Sequence, residues 1–221
     1  MPLPWLDPTG SPQSLPDPRT ALEEPNGLLA MGGALTPDWL LTAYGRGIFP
    51  WFSEHQPILW WSPDPRAVFD PARFLASRSL GQSIRNRGYR TSVNRDFGAV
   101  IGACAAPRDD GGGTWITDSM RQAYELLHRR GEAHSVETWA GEELVGGLYG
   151  VRVGRMFFGE SMFSRARDAS KVALARLMAE ARADGIGLID CQMPTAHLSS
   201  LGAETIRRSE FLARLAHYID G

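Results

Sequence analysis

The chain has 221 residues, 43% of them hydrophobic and 22% charged, with a formal net charge of −2. That is enough to bury a sizeable core. It excludes a strongly basic nucleic-acid binder, and no apolar run approaches the ~20 residues that span a bilayer. The start has no basic segment followed by an apolar run, and the two cysteines, Cys104 and Cys191, lie far apart. The expectation is a reduced, cytoplasmic protein with no membrane association.

Residues 1–27 hold seven of the 15 prolines and read as an extended arm. A helix should open at Thr36, with Pro37 at its first position, and stop at Gly45 or Gly47. Four tryptophans, Trp39, Trp51, Trp60 and Trp61, follow within 23 residues. Clustered aromatics usually pack. Trp51, in a Pro-bounded loop, could also serve as a platform for an unpaired base. Pro63 and Pro65 suggest a hinge, which divides the chain into a small unit, 1–64, and a main one, 65–221.

The main unit opens with a strand at Arg66–Phe69. A helix capped by Ser79 should end at Gly88, and a strand follows at Tyr89–Asn94. Residues 73–95 hold Arg73, Arg78, Arg85, Arg87, Arg90 and Arg95 and no acid. Such a block suits a phosphate backbone or a solvated surface, and composition does not choose between them. A short helix near Phe97–Ala105 precedes a Gly-rich loop, 107–113, in which the composition of 109–113 suggests a lid. Thr117 should cap a helix to Gly131. Three strands, His134–Trp139, Leu144–Val153 and Arg155–Phe158, form an antiparallel meander. The helix Asp168–Asp184 is amphipathic and leads into a strand, Leu188–Gln192. A loop through His197, a strand near Glu204–Arg207 and a helix Ser209–Ile219 complete an α+β fold with a mixed sheet.

Glu160 and Asp190 are acids in apolar, strand-like runs, where an acid is either paired or employed. Asp190 and Gln192, two apart in a strand, should face one side, with Cys191 on the other. A Cys191–His197 thiol enzyme is disfavoured, because nothing marks Cys191 as an exposed thiolate. There is no metal-ligand spacing, no phosphate-binding glycine motif and no nucleophile elbow. A meander, helix and strand also build GNAT-type acetyltransferases, which cradle the coenzyme A pyrophosphate in a Gly-containing loop at the helix start. The corresponding stretch here, Ser164–Ser170, has no glycine and places Asp168 where a phosphate would sit.

Seven segments in order carry a specific resemblance. They are Glu24-Pro25-Asn26-Gly27-Leu28-Leu29-Ala30, Arg46-Gly47-Ile48-Phe49-Pro50-Trp51-Phe52, Trp60-Trp61-Ser62-Pro63-Asp64-Pro65-Arg66, Gly113-Thr114-Trp115-Ile116-Thr117, Ala133-His134-Ser135-Val136-Glu137, Gly159-Glu160-Ser161-Met162-Phe163-Ser164 and Leu188-Ile189-Asp190-Cys191-Gln192. Together they resemble the bacterial leucyl/phenylalanyl-tRNA–protein transferases. The resemblance implies a small N-terminal α+β domain followed by a GNAT-like domain. It implies transfer of Leu or Phe, and less readily Met, from aminoacyl-tRNA to the N-terminal α-amine of proteins beginning with Arg or Lys. Such proteins are thereby marked for degradation. It further implies a monomer that needs no metal, coenzyme A or ATP.

Carried over by position, Asp190 and Gln192 form the relay that orients and deprotonates the amine, and Glu160 lies near the aminoacyl-adenosine end. Leu148, Phe157, Met162, Leu174, Leu177 and Ile189 line the side-chain pocket. Leu148 and Leu177 stand where the best-known pattern has Met and Phe. Trp51 and Trp115 embrace the terminal adenine. Arg78, Arg85 and Arg87 touch the tRNA backbone, with Gly81 and Gln82 where basic residues are common. The rival readings are a coenzyme A-dependent acetyltransferase and a non-catalytic RNA-binding module.

Overall fold

The computed structural model describes residues 3–106 and 116–220. The expected lid loop and Trp115 therefore lie outside the described residues.

The first elements form a small four-stranded sheet, ordered β1-β2-β4-β3. They are β1 (Trp5–Leu6), β2 (Leu28–Gly32), α1 (Pro37–Gly45), β3 (Phe49–Pro50) and β4 (Leu59–Trp61). The Thr36 side chain accepts from the Trp39 N–H and Pro37 takes the first helical position, as the sequence predicts. Gly27 sits at φ +88°, and a Cβ there would fall 2.4 Å from the Pro63 backbone, so this turn requires glycine.

The second sheet has seven strands in the order β11-β5-β10-β9-β8-β7-β6. Its elements, in chain order, begin with β5 (Arg66–Phe69), α2 (Arg78–Asn86), β6 (Arg90–Val93), α3 (Phe97–Ala105) and α4 (Asp118–Arg129). The meander β7 (Ala133–Ala140), β8 (Glu143–Val153) and β9 (Met156–Ser164) follows. Then come α5 (Ala169–Ala183), β10 (Leu188–Asp190), α6 (Ala196–Ser200), β11 (Glu204–Ile206) and α7 (Arg208–Asp220). In this sheet, among the described residues, only β9 and β10 pair in parallel, joined by α5, so the sheet is mixed. This is the meander, helix and parallel strand on which the GNAT-like expectation rests.

The sheet is packed on both faces. Leu148, Phe157, Leu174, Leu177 and Ile189 share a core beneath α5. On the other face Phe158, Tyr149 and Val151 join one continuous core with α1, α3, α4, α7 and the small sheet. No helix among the described residues is long and apolar enough to cross a membrane.

Some boundaries differ from expectation. Ser77, not Ser79, caps α2, accepting from the Leu80 N–H. Strand β9 runs six residues beyond Phe158 to Ser164. The segment expected to be a hinge is hydrogen-bonded from both sides. The Asn26 side chain bonds both the N–H and the carbonyl of Asp64, at 3.1 and 2.8 Å. The Asp64 carboxylate and the Ser62 carbonyl both hold Arg208 of α7. Prolines restrict backbone torsion, and these bonds tether the segment to the turn at Asn26 and to α7.

Candidate active site

Strand β9 is longer than its partner β10, so the two pair only from Met156 to Phe158 and then part. In the opening between them lies a cavity of about 630 Å³. Its wall is apolar: Leu148 from β8, Met162 from β9, Leu174 and Leu177 from α5, and Ile189 from β10. Five of the six residues expected in a side-chain pocket thus converge. The sixth, Phe157, is buried in the core behind them and does not line the cavity.

Glu160 reaches the rim through a β-bulge. Tyr149 pairs with Ser161, but Gly150 pairs with Gly159, which leaves Glu160 as an extra residue on β9. A bulge shifts the alternation of a strand by one and re-aims a side chain. It is why Phe157 and Met162, five apart, pack on the same face. Gly150 is fixed by this crowding, since a Cβ there would lie 2.2 Å from the Phe158 carbonyl.

Glu160 accepts a 2.9 Å hydrogen bond from the Tyr124 hydroxyl, which is itself 2.5 Å from the Tyr44 hydroxyl. Burial pushes its carboxyl up to about 7. The tyrosine hydroxyls and Arg66 act against that rise, and Asp190 adds to it. Both tyrosine hydroxyls are held well above their ordinary range, chiefly by burial and then by the Glu160 charge. The result is a carboxyl poised near neutrality, at the lip of an apolar cavity, on two hydroxyl donors.

Gln192 corrects the sequence reading. Strand β10 ends at Asp190, and Gln192 takes a left-handed backbone, φ 58°. The two side chains therefore do not share a strand face. The Gln192 amide lines the cavity and donates a long 3.4 Å contact to Glu160. Asp190 instead turns inward and lines neither cavity described here. Its carboxylate, fully buried, is bound by both arms of the Arg66 guanidinium at 2.8 Å each. Cys191 does reach the cavity, but burial pushes its thiol up, which removes the thiolate a cysteine enzyme needs.

A second cavity of about 180 Å³ adjoins the first. The two share Glu160, Cys191, Gln192, Thr195 and Leu198, and Trp51 borders the second. Trp51 is 37% exposed and rests edge-on against Trp61, whose ring N–H bonds the Trp51 carbonyl. The cluster therefore divides: Trp39 and Trp60 are core, and Trp51 is left at the site. Arg78 and Arg85 are exposed on one face of α2, while Arg87, just beyond the helix, contacts the Ser83 hydroxyl. Among the described residues no group of His, Cys, Asp and Glu could hold a metal ion.

Sequence reasoning missed Tyr44, Tyr124 and Arg66. The tyrosines are 80 residues apart and give no local signal. Arg66 did give one: a cation opening an apolar strand invites the question asked of Asp190.

Residues 68–216 match the family model described as leucyl/phenylalanyl-tRNA protein transferase, and residues 33–64 match the model of that family's N-terminal domain. A leucyl/phenylalanyl-tRNA–protein transferase of Aromatoleum aromaticum is 57% identical over 216 residues, covering 98% of this chain and 90% of that protein. One from Pseudomonas entomophila is 58% identical over 218 residues, covering 99% and 96%. Among solved structures, FemX is similar at 11% identity and a TM-score of 0.52, over 77% of this chain and 66% of that one, a likeness of fold. The chain belongs to the leucyl/phenylalanyl-tRNA–protein transferase family and is an aminoacyltransferase.

Proposed function

We propose that this chain transfers Leu, also Phe and less readily Met, from aminoacyl-tRNA to the α-amine of proteins beginning with Arg or Lys. The product is marked for degradation, in the cytoplasm, by a monomer that uses no metal, coenzyme A or ATP. The observation that carries the reading is an apolar cavity whose polar rim, Glu160 and Gln192, is shared with a second cavity beside an exposed tryptophan. An activated acyl group with an apolar side chain fits the first cavity. An amine can approach through the second, and a base can stack on Trp51. The proposed units divide the work, with 1–64 supplying Tyr44 and Trp51 and 65–221 the apolar cavity. At the start of α5 the Asp168 carboxylate takes bonds from Ser83 and Lys171. A coenzyme A pyrophosphate would meet a negative charge there.

The ester to the terminal ribose is already activated, so the work is alignment and proton transfer. The neutral amine attacks the ester carbonyl carbon, a C–N bond forms, and the C–O bond to the ribose breaks. The nitrogen loses one proton and the departing ribose oxygen gains one. Glu160, poised near 7, has the affinity to take that proton and return it. The Gln192 amide holds the amine or the developing oxyanion. A branched Val or Ile side chain would be refused by shape, at about 1–3 kcal/mol per methylene.

The test is radiolabelled leucyl-tRNA mixed with a peptide beginning with Arg. Label should pass to the peptide with no coenzyme A present, and a matched peptide beginning with Ala should stay unlabelled. Transfer that requires coenzyme A would favour the acetyltransferase. Binding without transfer would favour an RNA-binding module.

A further inference from the structure

Arg66 plays no part in the mechanism above, yet the polar geometry under the rim turns on it. We infer that Arg66 is a positioning residue for the transfer reaction, holding Asp190 as a buried strut that fixes the Gln192 turn between the two cavities. This rests on the proposed transfer for its kinetic test and on the turn itself for a second one.

Asp190 has little left to offer a substrate. Its Oδ1 accepts from Arg66 Nε at 2.8 Å and from the Gln192 backbone N–H at 3.1 Å, and its Oδ2 accepts from Arg66 Nη2 at 2.8 Å. Both side chains are 0% exposed. A carboxylate clamped in this way acts on the site through the neighbour it holds, and that neighbour is Gln192.

The Gln192 backbone needs holding. A left-handed conformation is unfavourable for a residue with a Cβ and persists where its surroundings fix it. The Asp190 bond holds its N–H. Its carbonyl accepts from the Ala67 N–H at 3.0 Å, and the Cys191 N–H donates to the Ala67 carbonyl at 2.8 Å. Ala67 is the residue after Arg66, so one short piece of β5 grips the turn through backbone and side chain together.

Arg66 is itself held from other elements. Its Nη1 donates to the Gly47 carbonyl at 3.1 Å. The guanidinium lies over the ring of Phe49 at 5.0 Å and that of Phe211 at 4.4 Å. Gly47 and Phe49 belong to the segment that leads to Trp51, and Phe211 belongs to α7. The fork therefore ties the position of the Gln192 amide to the loop that carries Trp51. Lysine offers a point charge with no planar fork and cannot make both Asp190 bonds and the Gly47 bond from one fixed plane.

The kinetic test is single-turnover leucyl transfer to a peptide beginning with Arg, across pH 5.5 to 9, alongside steady-state rates. Arg66→Lys should lower kcat about tenfold or more, with KM for leucyl-tRNA within about twofold, as misplacement of an aligning group does. Asp190→Asn should slow transfer yet keep the shape of the wild-type pH profile. A wild-type kcat in Arg66→Lys, or a pH limb lost in Asp190→Asn, overturns the assignment. Should Arg66→Lys fail to fold, Arg66→Met/Asp190→Leu replaces the pair with apolar groups. It should fold and bind tRNA but transfer slowly, and transfer at the wild-type rate overturns the assignment. Hydrogen exchange reads the turn without any assay of transfer. Arg66→Lys should speed exchange at residues 190–193 while β7 and β8 keep their protection, and unchanged protection at the turn overturns the inference. A wild-type chain that transfers nothing defeats the proposed function, and the exchange measurement still decides the role of Arg66.

Discussion

At the bulge of β9, burial lets Glu160 keep its proton to about pH 7, despite the Tyr124 hydroxyl that favours its charged form. The folded chain therefore holds a proton that an unfolded chain releases in the ordinary carboxylate range. Stability from this group falls as pH rises from about 4.5 towards 7 and is level above that. Glu160→Gln should flatten that window and raise stability at pH 8 by about 1–2 kcal/mol, after discounting for the solvent at the rim. Denaturant titrations at pH 5 and pH 8 check it. The same variant should remove one limb of the rise in transfer rate between pH 6 and 8 and leave the limb of the acceptor amine, whose pKa is about 7.7–8.0. A profile with both limbs intact would count against Glu160 as the proton acceptor.

At the scale of elements, α5 seats on β8 because Gly146 has no side chain. A Cβ at Gly146 would lie 2.6 Å from the Ala169 Cβ and 2.7 Å from the Ala169 backbone. Thr138 on β7 fixes the same point, donating to the Ala169 carbonyl at 2.9 Å. Gly146→Ala should push the start of α5 off the sheet, lower stability by about 1–3 kcal/mol and widen the apolar cavity. Thermal unfolding and the ratio of Leu to Phe transfer report the two effects. The elements themselves were legible. Thr36, Thr117 and the glycines mark helix ends by local chemistry, and the turn at Gly141-Glu142-Glu143 marks the first corner of the meander. The site was legible in parts. The pocket side chains could be placed because the family resemblance carries their positions over, but Phe157 showed no sign of lying behind the wall. The bulge at Glu160 and the early end of β10 at Asp190 were hidden. Each depends on what a neighbouring strand pairs with, and no local pattern records that.

The whole molecule carries a net charge of −2, so attraction to a polyanion must be local. Residues 73–95 carry six arginines and no acid, and Arg78 and Arg85 stand exposed on α2, which packs beside α5. If they meet phosphates, binding weakens with salt through counterion release. Removing both, as Arg78→Ala/Arg85→Ala, should lower the slope of log affinity against log salt by about 1–2 and leave kcat at saturating tRNA near that of the parent. Arg87, already in contact with Ser83 at 3.3 Å, should change the slope less.

Helix α7 supplies Phe211 against the Arg66 guanidinium, presses Leu212 and Leu215 around Gly47, and anchors Arg208 to the Asp64 segment. Translation delivers these residues after every other part of the site. A nascent chain that has emerged only as far as β11 holds its buried-to-be cation in a slot open on one side, with water for a neighbour. The face of the Arg66 guanidinium that Phe211 covers can close only once that residue has left the exit tunnel.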